Sequence, residues 1–260
     1  MTQDYIITLP QSEMLTTAGL LGYESIFLLS EDQLPKDPGT LLMQLREGLD
    51  RLEQKSLLNI SMDGTLQIRR ELQAIFACLC QPDTVALVEH NLPAGRKTLC
   101  YLLQNGDHRL LARKTGPDSY NLTLLRALTP EALFPAALLD GEDSNLQARL
   151  PLTQAQHIRS CVESFDEAGG LASLQACLVD KTQAAALLET LSGTGSYLSV
   201  RIVRATDFLY KTVFHQLFAL PGKQVLRVWA DAVDTVHFRG ADPRQITAEI
   251  LGYFQKKEVC

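Results

Sequence analysis

The sequence predicts one α+β domain over residues 1–260, built on an antiparallel sheet with helices packed on one face or at its ends. Three observations predict it. Between Thr84 and Arg126 apolar residues alternate in four short runs separated by turn residues, the pattern of a β-meander. On both sides of this stretch apolar residues recur at spacings of three and four, the pattern of amphipathic helices. The same order of helices, antiparallel strands and a helix then occurs a second time.

In the first half, Asp4–Leu9 reads as a strand, Ser12–Ala18 as a short helix and Ile26–Leu29 as extended or irregular. Leu41, Leu45, Leu49 and Leu52 line one face of a helix that starts at Pro38. Asp63-Gly64 turns the chain between the short runs Leu57–Ile60 and Leu66–Ile68. Leu72, Ile75, Phe76 and Leu79 mark a second helix, which Pro82 ends. The meander follows as Thr84–Glu89, Thr98–Leu103, Leu110–Lys114 and Tyr120–Arg126, joined at Pro93-Ala94-Gly95, Asn105-Gly106-Asp107 and Gly116-Pro117-Asp118. Thr129-Pro130-Glu131 opens a helix to Leu139 that Pro135 should kink or cut short.

In the second half, helical runs are expected at Thr153–Phe165, Leu171–Leu178 and Lys181–Leu191, with Thr153 and Asp180 as N-caps. Strands are expected at Tyr197–Arg204, Thr206–Leu217, Gln224–Ala230 and Val233–Phe238, and Asp242-Pro243 opens a last helix to about Gln255. The polar stretch Asp140–Asn145 separates two pseudo-equivalent halves, 1–140 and 150–260. The shared order fits a duplication and fits equally an unrelated pair of α+β segments.

Composition narrows the function classes. With 46% hydrophobic and 21% charged residues the chain buries a core and needs neither disulfide nor metal to fold. A formal net charge of −6 opposes general affinity for phosphate backbones or anionic membranes, so neither nucleic acid nor membrane insertion is expected. No basic segment precedes an apolar run near Met1, and no apolar run approaches about 18 residues. The expected location is therefore the cytoplasm, where the six cysteines stay reduced.

Catalytic patterns fare poorly. Cys78 and Cys80 lie two apart on a helix and point to different sides, so they cannot share a metal ion. Gly193-Thr194-Gly195 precedes a strand instead of opening a helix, which leaves a phosphate without the helix N-terminus that holds it. Of the five histidines, His215 and His237 stand near Asp231 and Asp234 and could form a His–carboxylate pair, which strand neighbours commonly do without catalysis. No enzyme and no cofactor is expected.

The stretch Phe208–Phe218 is the most informative. In a strand Phe208, Tyr210, Phe214 and Phe218 share one face, and Leu209, Val213 and Leu217 share the other with Lys211 and His215. Such a stripe is commonly core beneath a helix. Its functional reading is an exposed sheet face that anchors a partner through Phe208, Tyr210, Phe214, Phe218, Lys211 and His215. A winged-helix regulator has roughly the right order of helices and hairpin after Leu41. Its recognition helix, however, would present Leu72, Ile75, Phe76 and Leu79 where base-reading polar residues belong.

Leu49–Leu58, Asp63-Gly64, Leu72, Leu79 and Pro82, followed by Leu110–Lys114, Leu128–Leu139 and Asp242-Pro243-Arg244-Gln245-Ile246, resemble the EspG family in type and order. These are cytosolic chaperones of mycobacterial type VII secretion. The resemblance implies a central antiparallel sheet with helical subdomains and quasi-two-fold halves. It also implies binding of a helical secreted protein in the cytosol of a bacterium. The six cysteines and modest alanine content depart from the mycobacterial pattern. An acidic winged-helix regulator and an enzyme of unknown class are the alternatives to this reading.

Overall fold

The computed structural model describes residues 4–30, 33–92, 95–164, 166–177, 181–192, 196–206 and 209–255. The first half runs β1 (Tyr5–Pro10), α1 (Gln11–Leu20), α2 (Pro38–Gln54), β2 (Leu58–Ile60), β3 (Leu66–Ile68) and α3 (Arg70–Cys80). It continues with β4 (Thr84–Asn91), β5 (Lys97–Asn105), β6 (His108–Gly116), β7 (Ser119–Leu125), α4 (Pro130–Leu133) and α5 (Ala136–Leu139). The second half runs β8 (Gln147–Pro151), α6 (Leu152–Glu163), α7 (Glu167–Ala176), α8 (Lys181–Ser192), β9 (Ser196–Ala205) and β10 (Tyr210–Leu220). It closes with β11 (Leu226–Ala230), β12 (Thr235–Gly240) and α9 (Pro243–Gly252).

Ten strands form one antiparallel sheet in the order β1-β7-β6-β5-β4-β9-β10-β11-β12-β8, and β2 and β3 form a separate hairpin. The order reads alike from either edge, as a lone strand followed by a four-strand meander taken in reverse. The α+β class with a central antiparallel sheet is thus observed. By proximity the chain forms two compact units, residues 1–86, 100–128 and 203–211, and residues 87–99, 129–202 and 212–260.

In the first unit, α3 turns Leu72, Ile75, Phe76 and Leu79 inward, each with no exposed area. They join Leu9, Met14, Leu52, Leu103, Leu110 and Leu122 in one core. Each such side chain removed from water contributes about 1.5–3 kcal/mol. α1 crosses α2 at Gly48, where a built Cβ would meet the Thr16 hydroxyl and lie 2.6 Å from the Ser12 carbonyl oxygen. The Thr16 hydroxyl donates to the Leu45 carbonyl at 3.0 Å across this contact. Turn chemistry matches the sequence: Gly106 has φ +54°, and its N–H donates to the Asp83 carboxylate at 2.7 Å.

In the second unit, α6, α7 and α8 cover one sheet face, burying Leu150, Ile158, Leu174, Leu187, Leu226 and Phe238. Phe218, Arg227 and Arg239 alternate with this set and therefore face the other way. That opposite face carries α9, where Arg227 pairs with Glu249 and Phe214 meets Tyr253 at 5.7 Å between ring centroids. The Asp242 carboxylate accepts from the Arg244 N–H and caps α9 ahead of Pro243.

Three expectations need correction. The segment 130–139 is two short helices, because Pro135 at the start of α5 cannot continue α4. Thr153 does not cap a helix: α6 begins at Leu152, directly after a strand, β8, that the sequence reading missed. The strand expected from Thr206 begins at Tyr210; just ahead of it the Thr206 N–H donates to the Leu209 carbonyl at 2.8 Å. Pro93-Ala94, Asp180, Gly193-Thr194-Gly195 and Phe208 lie outside the described residues.

Candidate partner-binding face

The open part of the second unit's sheet is built by register. Arg149 on β8, His237 on β12 and Trp229 on β11 are direct cross-strand neighbours. Two residues along each strand, and hence on the same face, Gln147, Arg239 and Arg227 form a second row that continues to Phe218 on β10. Their intervening neighbours Ala148, Leu150, Phe238, Val236 and Val228 pack into or against the helix-covered core. Strict alternation of core and solvent positions therefore sets which side chains this face presents.

Trp229 is 41% exposed. Its indole lies parallel to the His237 imidazole, with 5.0 Å between centroids and 5° between planes. His237 Nε2 is 2.7 Å from Asp231 Oδ2, and the other Asp231 oxygen accepts N–H bonds from Val233 and Thr235 at 3.0 Å. These contacts, led by His237, hold the Asp231 carboxyl below its ordinary pKa. The β11–β12 turn thus orients His237, and His237 supports one side of the indole.

Charge on this face is only partly matched. The Arg227 guanidinium lies over the Phe218 ring at 5.8 Å and pairs with Glu249. Arg149 and Arg239 are exposed and have no ion-pair partner among the described residues. Arg227 and Arg239 stand directly opposite each other, a like-charge arrangement that costs stability. Between them and the start of α9 a cleft of about 390 Å³ opens, lined also by Asp143, Asp242 and Gln245.

The stretch singled out from the sequence changes character along β10. Phe218 is fully buried and offers no surface. Phe214 is half-buried against Tyr253, and His215 is exposed. In the first unit Lys211 is exposed, whereas the Tyr210 ring packs edge-on against Phe27 at 5.1 Å and its hydroxyl donates to the Pro82 carbonyl at 2.9 Å. Of the residues expected to pair as His and carboxylate, His237 and Asp231 do so and His215 does not join them. Burial pushes the Cys78 and Cys80 thiols up to about 12. No cluster of three metal-ligating side chains occurs among the described residues. Nor is any described helix long and apolar enough to cross a membrane.

Trp229, Arg149 and Arg239 were not singled out from the sequence. The available signal was the alternation Arg227-Val228-Trp229 and His237-Phe238-Arg239, but its meaning depends on which strands pair.

No family model matches the chain, and no curated protein matches it. Among solved structures, the chain matches the Mycobacterium tuberculosis type VII secretion system chaperone EspG5, in a structure that holds it in complex with a PE25–PPE41 dimer. The match covers 94% of each chain at a TM-score of 0.61 and 13% identity. The chain therefore has an EspG-like fold.

Proposed function

We propose that this protein is a non-enzymatic chaperone or adaptor that recognises a helical secreted protein in the bacterial cytoplasm, within a type VII-like secretion system. The observation that carries this reading is a fold shared over 94% of both chains with a secretion chaperone seen holding its protein partners. The open face around Trp229 supports it, because exposed tryptophan and arginine are the residue types enriched where proteins bind. Phe214 and His215 keep exposed area in the second unit and are proposed as contacts there; Tyr210 and Lys211 keep exposed area in the first unit and are proposed as contacts of that unit by itself. We propose in addition that residues 1–140 and 150–260 descend from one duplicated unit.

The test is purification of the tagged chain from its native host, with deletion of its gene in parallel. A small secreted protein recovered at near-equal amounts, and no longer exported by the deletion strain, is the expected result. Recovery of the chain alone, or unchanged export, overturns the proposal.

A further inference from the structure

The rows Arg149–His237–Trp229 and Gln147–Arg239–Arg227 combine three features that seldom coincide on a sheet that only has to fold. The single tryptophan of the chain is 41% exposed, and one side of it is covered by a stacked imidazole that is itself hydrogen-bonded to Asp231. Two arginines are placed directly opposite each other, and Glu249 neutralises only one of them. A third, Arg149, stands beside His237 with no partner among the described residues. Rules of strand pairing are broken where function compensates.

The nearby acids do not cancel these charges. Asp242 is committed to capping α9, Glu249 to Arg227 and Asp231 to His237 and the turn. Of the acids lining the cleft, Asp143 alone has no hydrogen bond among the described residues; it faces Arg239 there, while Arg149 lies outside the cleft. The chain as a whole carries −6, so the charge of this face is opposite to that of the molecule.

We propose that this face docks an acidic, amphipathic segment of a partner protein, with an apolar side chain on the open side of Trp229 and flanking carboxylates on Arg149 and Arg239. The arginine fork is the group best shaped to hold a carboxylate with two hydrogen bonds, and Trp229 supplies apolar contact area without loss of rotamer freedom. The proposal rests on the chaperone reading only for the origin of the segment.

The experiment uses the full chain and two synthetic peptides of about 20 residues, long enough to hold helix. One carries Leu on one face and Glu along its borders, and the other replaces every Glu by Gln. Binding is read from the emission of Trp229, with a fluorescent label on the peptide as second readout. The Glu peptide is expected to bind at least about tenfold more tightly than the Gln peptide, and Arg149→Glu/Arg239→Glu to remove that difference. Trp229→Ala, followed through the label, is expected to weaken both peptides. Unchanged circular dichroism and melting of the double variant keep the result specific, since both arginines are exposed. Equal affinity for the two peptides, no affinity for either, an unaffected double variant, or preference for a single-stranded RNA oligonucleotide overturns the proposal. If the peptides behave as expected but the native host yields no partner, the chaperone reading fails and this one stands.

Discussion

Trp229 and His237 lie face to face across β11 and β12, 5.0 Å apart and 5° from parallel, with His237 tethered to Asp231. The tether fixes the ring, so Asp231→Asn should loosen the stack and expose the indole on both sides. Because Trp229 is the only tryptophan, intrinsic emission reports on it alone, and a red shift at neutral pH is the expected outcome. The sign of the pH effect follows from the lowered pKa of Asp231. Its contribution is complete above the ordinary carboxylate pKa and is lost as pH falls through the lowered value. The wild-type emission should therefore show an acid step that Asp231→Asn lacks.

Glu13 is 1% exposed, and the Lys55 ammonium donates to both its oxygens at 2.6 and 2.7 Å. Lys55→Met leaves a buried carboxylate without its cation. Lys55 is itself 42% exposed, so water softens the loss, and a cost of about 2–3 kcal/mol is expected from chemical denaturation. Restoring balance with Glu13→Leu on the same background should recover most of it, since replacing both charges removes the uncompensated one. A double variant as unstable as Lys55→Met would show that the pair does not act through charge.

Much of the fold was readable from local chemistry, and the reasons differ from element to element. The helix at Leu72–Leu79 declared itself because its partners lie at spacings fixed by the helix alone, and Asn105-Gly106 because the turn needs a positive φ. β8 was missed because Gln147-Ala148-Arg149-Leu150-Pro151 is an edge strand that needs only two inward apolar residues and tolerates proline. For the stripe from Phe208 to Phe218 alternation alone leaves core and open face as alternatives, because it carries no depth. Phe218 disappears beneath Arg227, while Lys211 and His215 stay in solvent. Depth is set by elements distant in sequence, and the Trp229 face depends entirely on three pairings that no single strand encodes.

Gly48 is required by proximity, not by backbone conformation. A methyl group there would collide with the Thr16 hydroxyl and the Ser12 carbonyl, which belong to the packed turn of α1. Gly48→Ala should therefore destabilise the chain by about 1–3 kcal/mol despite the better helix propensity of alanine. Thermal melting would reveal this, and a stabilised variant would mean that α1 can move aside freely.

The β2–β3 hairpin should be acid-sensitive at its tip. Asp63 accepts from the Ser61 hydroxyl at 2.7 Å and the Thr65 N–H at 3.0 Å, and these bonds lower its pKa from 3.8 to about 2. The depressed value means that its contribution is intact above 3.8 and vanishes as pH falls towards 2. The protection factor of the Thr65 amide should fall over that window in the wild type, and should already be low at neutral pH in Asp63→Ala.

The two sheet edges are guarded unequally, and this gives a prediction about solubility. β8 carries Arg149 and Pro151, the kinds of residue that discourage a further strand from pairing. β1, at the other edge, reads Tyr5-Ile6-Ile7-Thr8-Leu9-Pro10, without a charge over its whole length and with Ile6 59% exposed. Gln11 N–H donates to Asp118 O, so the odd-numbered residues of β1 bond to β7 and the backbone groups of Ile6 and Thr8 point outward. An apolar, uncharged edge whose outward donors and acceptors have no partner among the described residues is a template for unwanted pairing. Ile6→Lys places a charge on the solvent face without touching the core. It should slow light-scattering growth on heating while leaving the melting midpoint nearly unchanged, because Ile6 contributes little burial. Aggregation as fast as that of the wild type would place the vulnerable segment elsewhere in the chain.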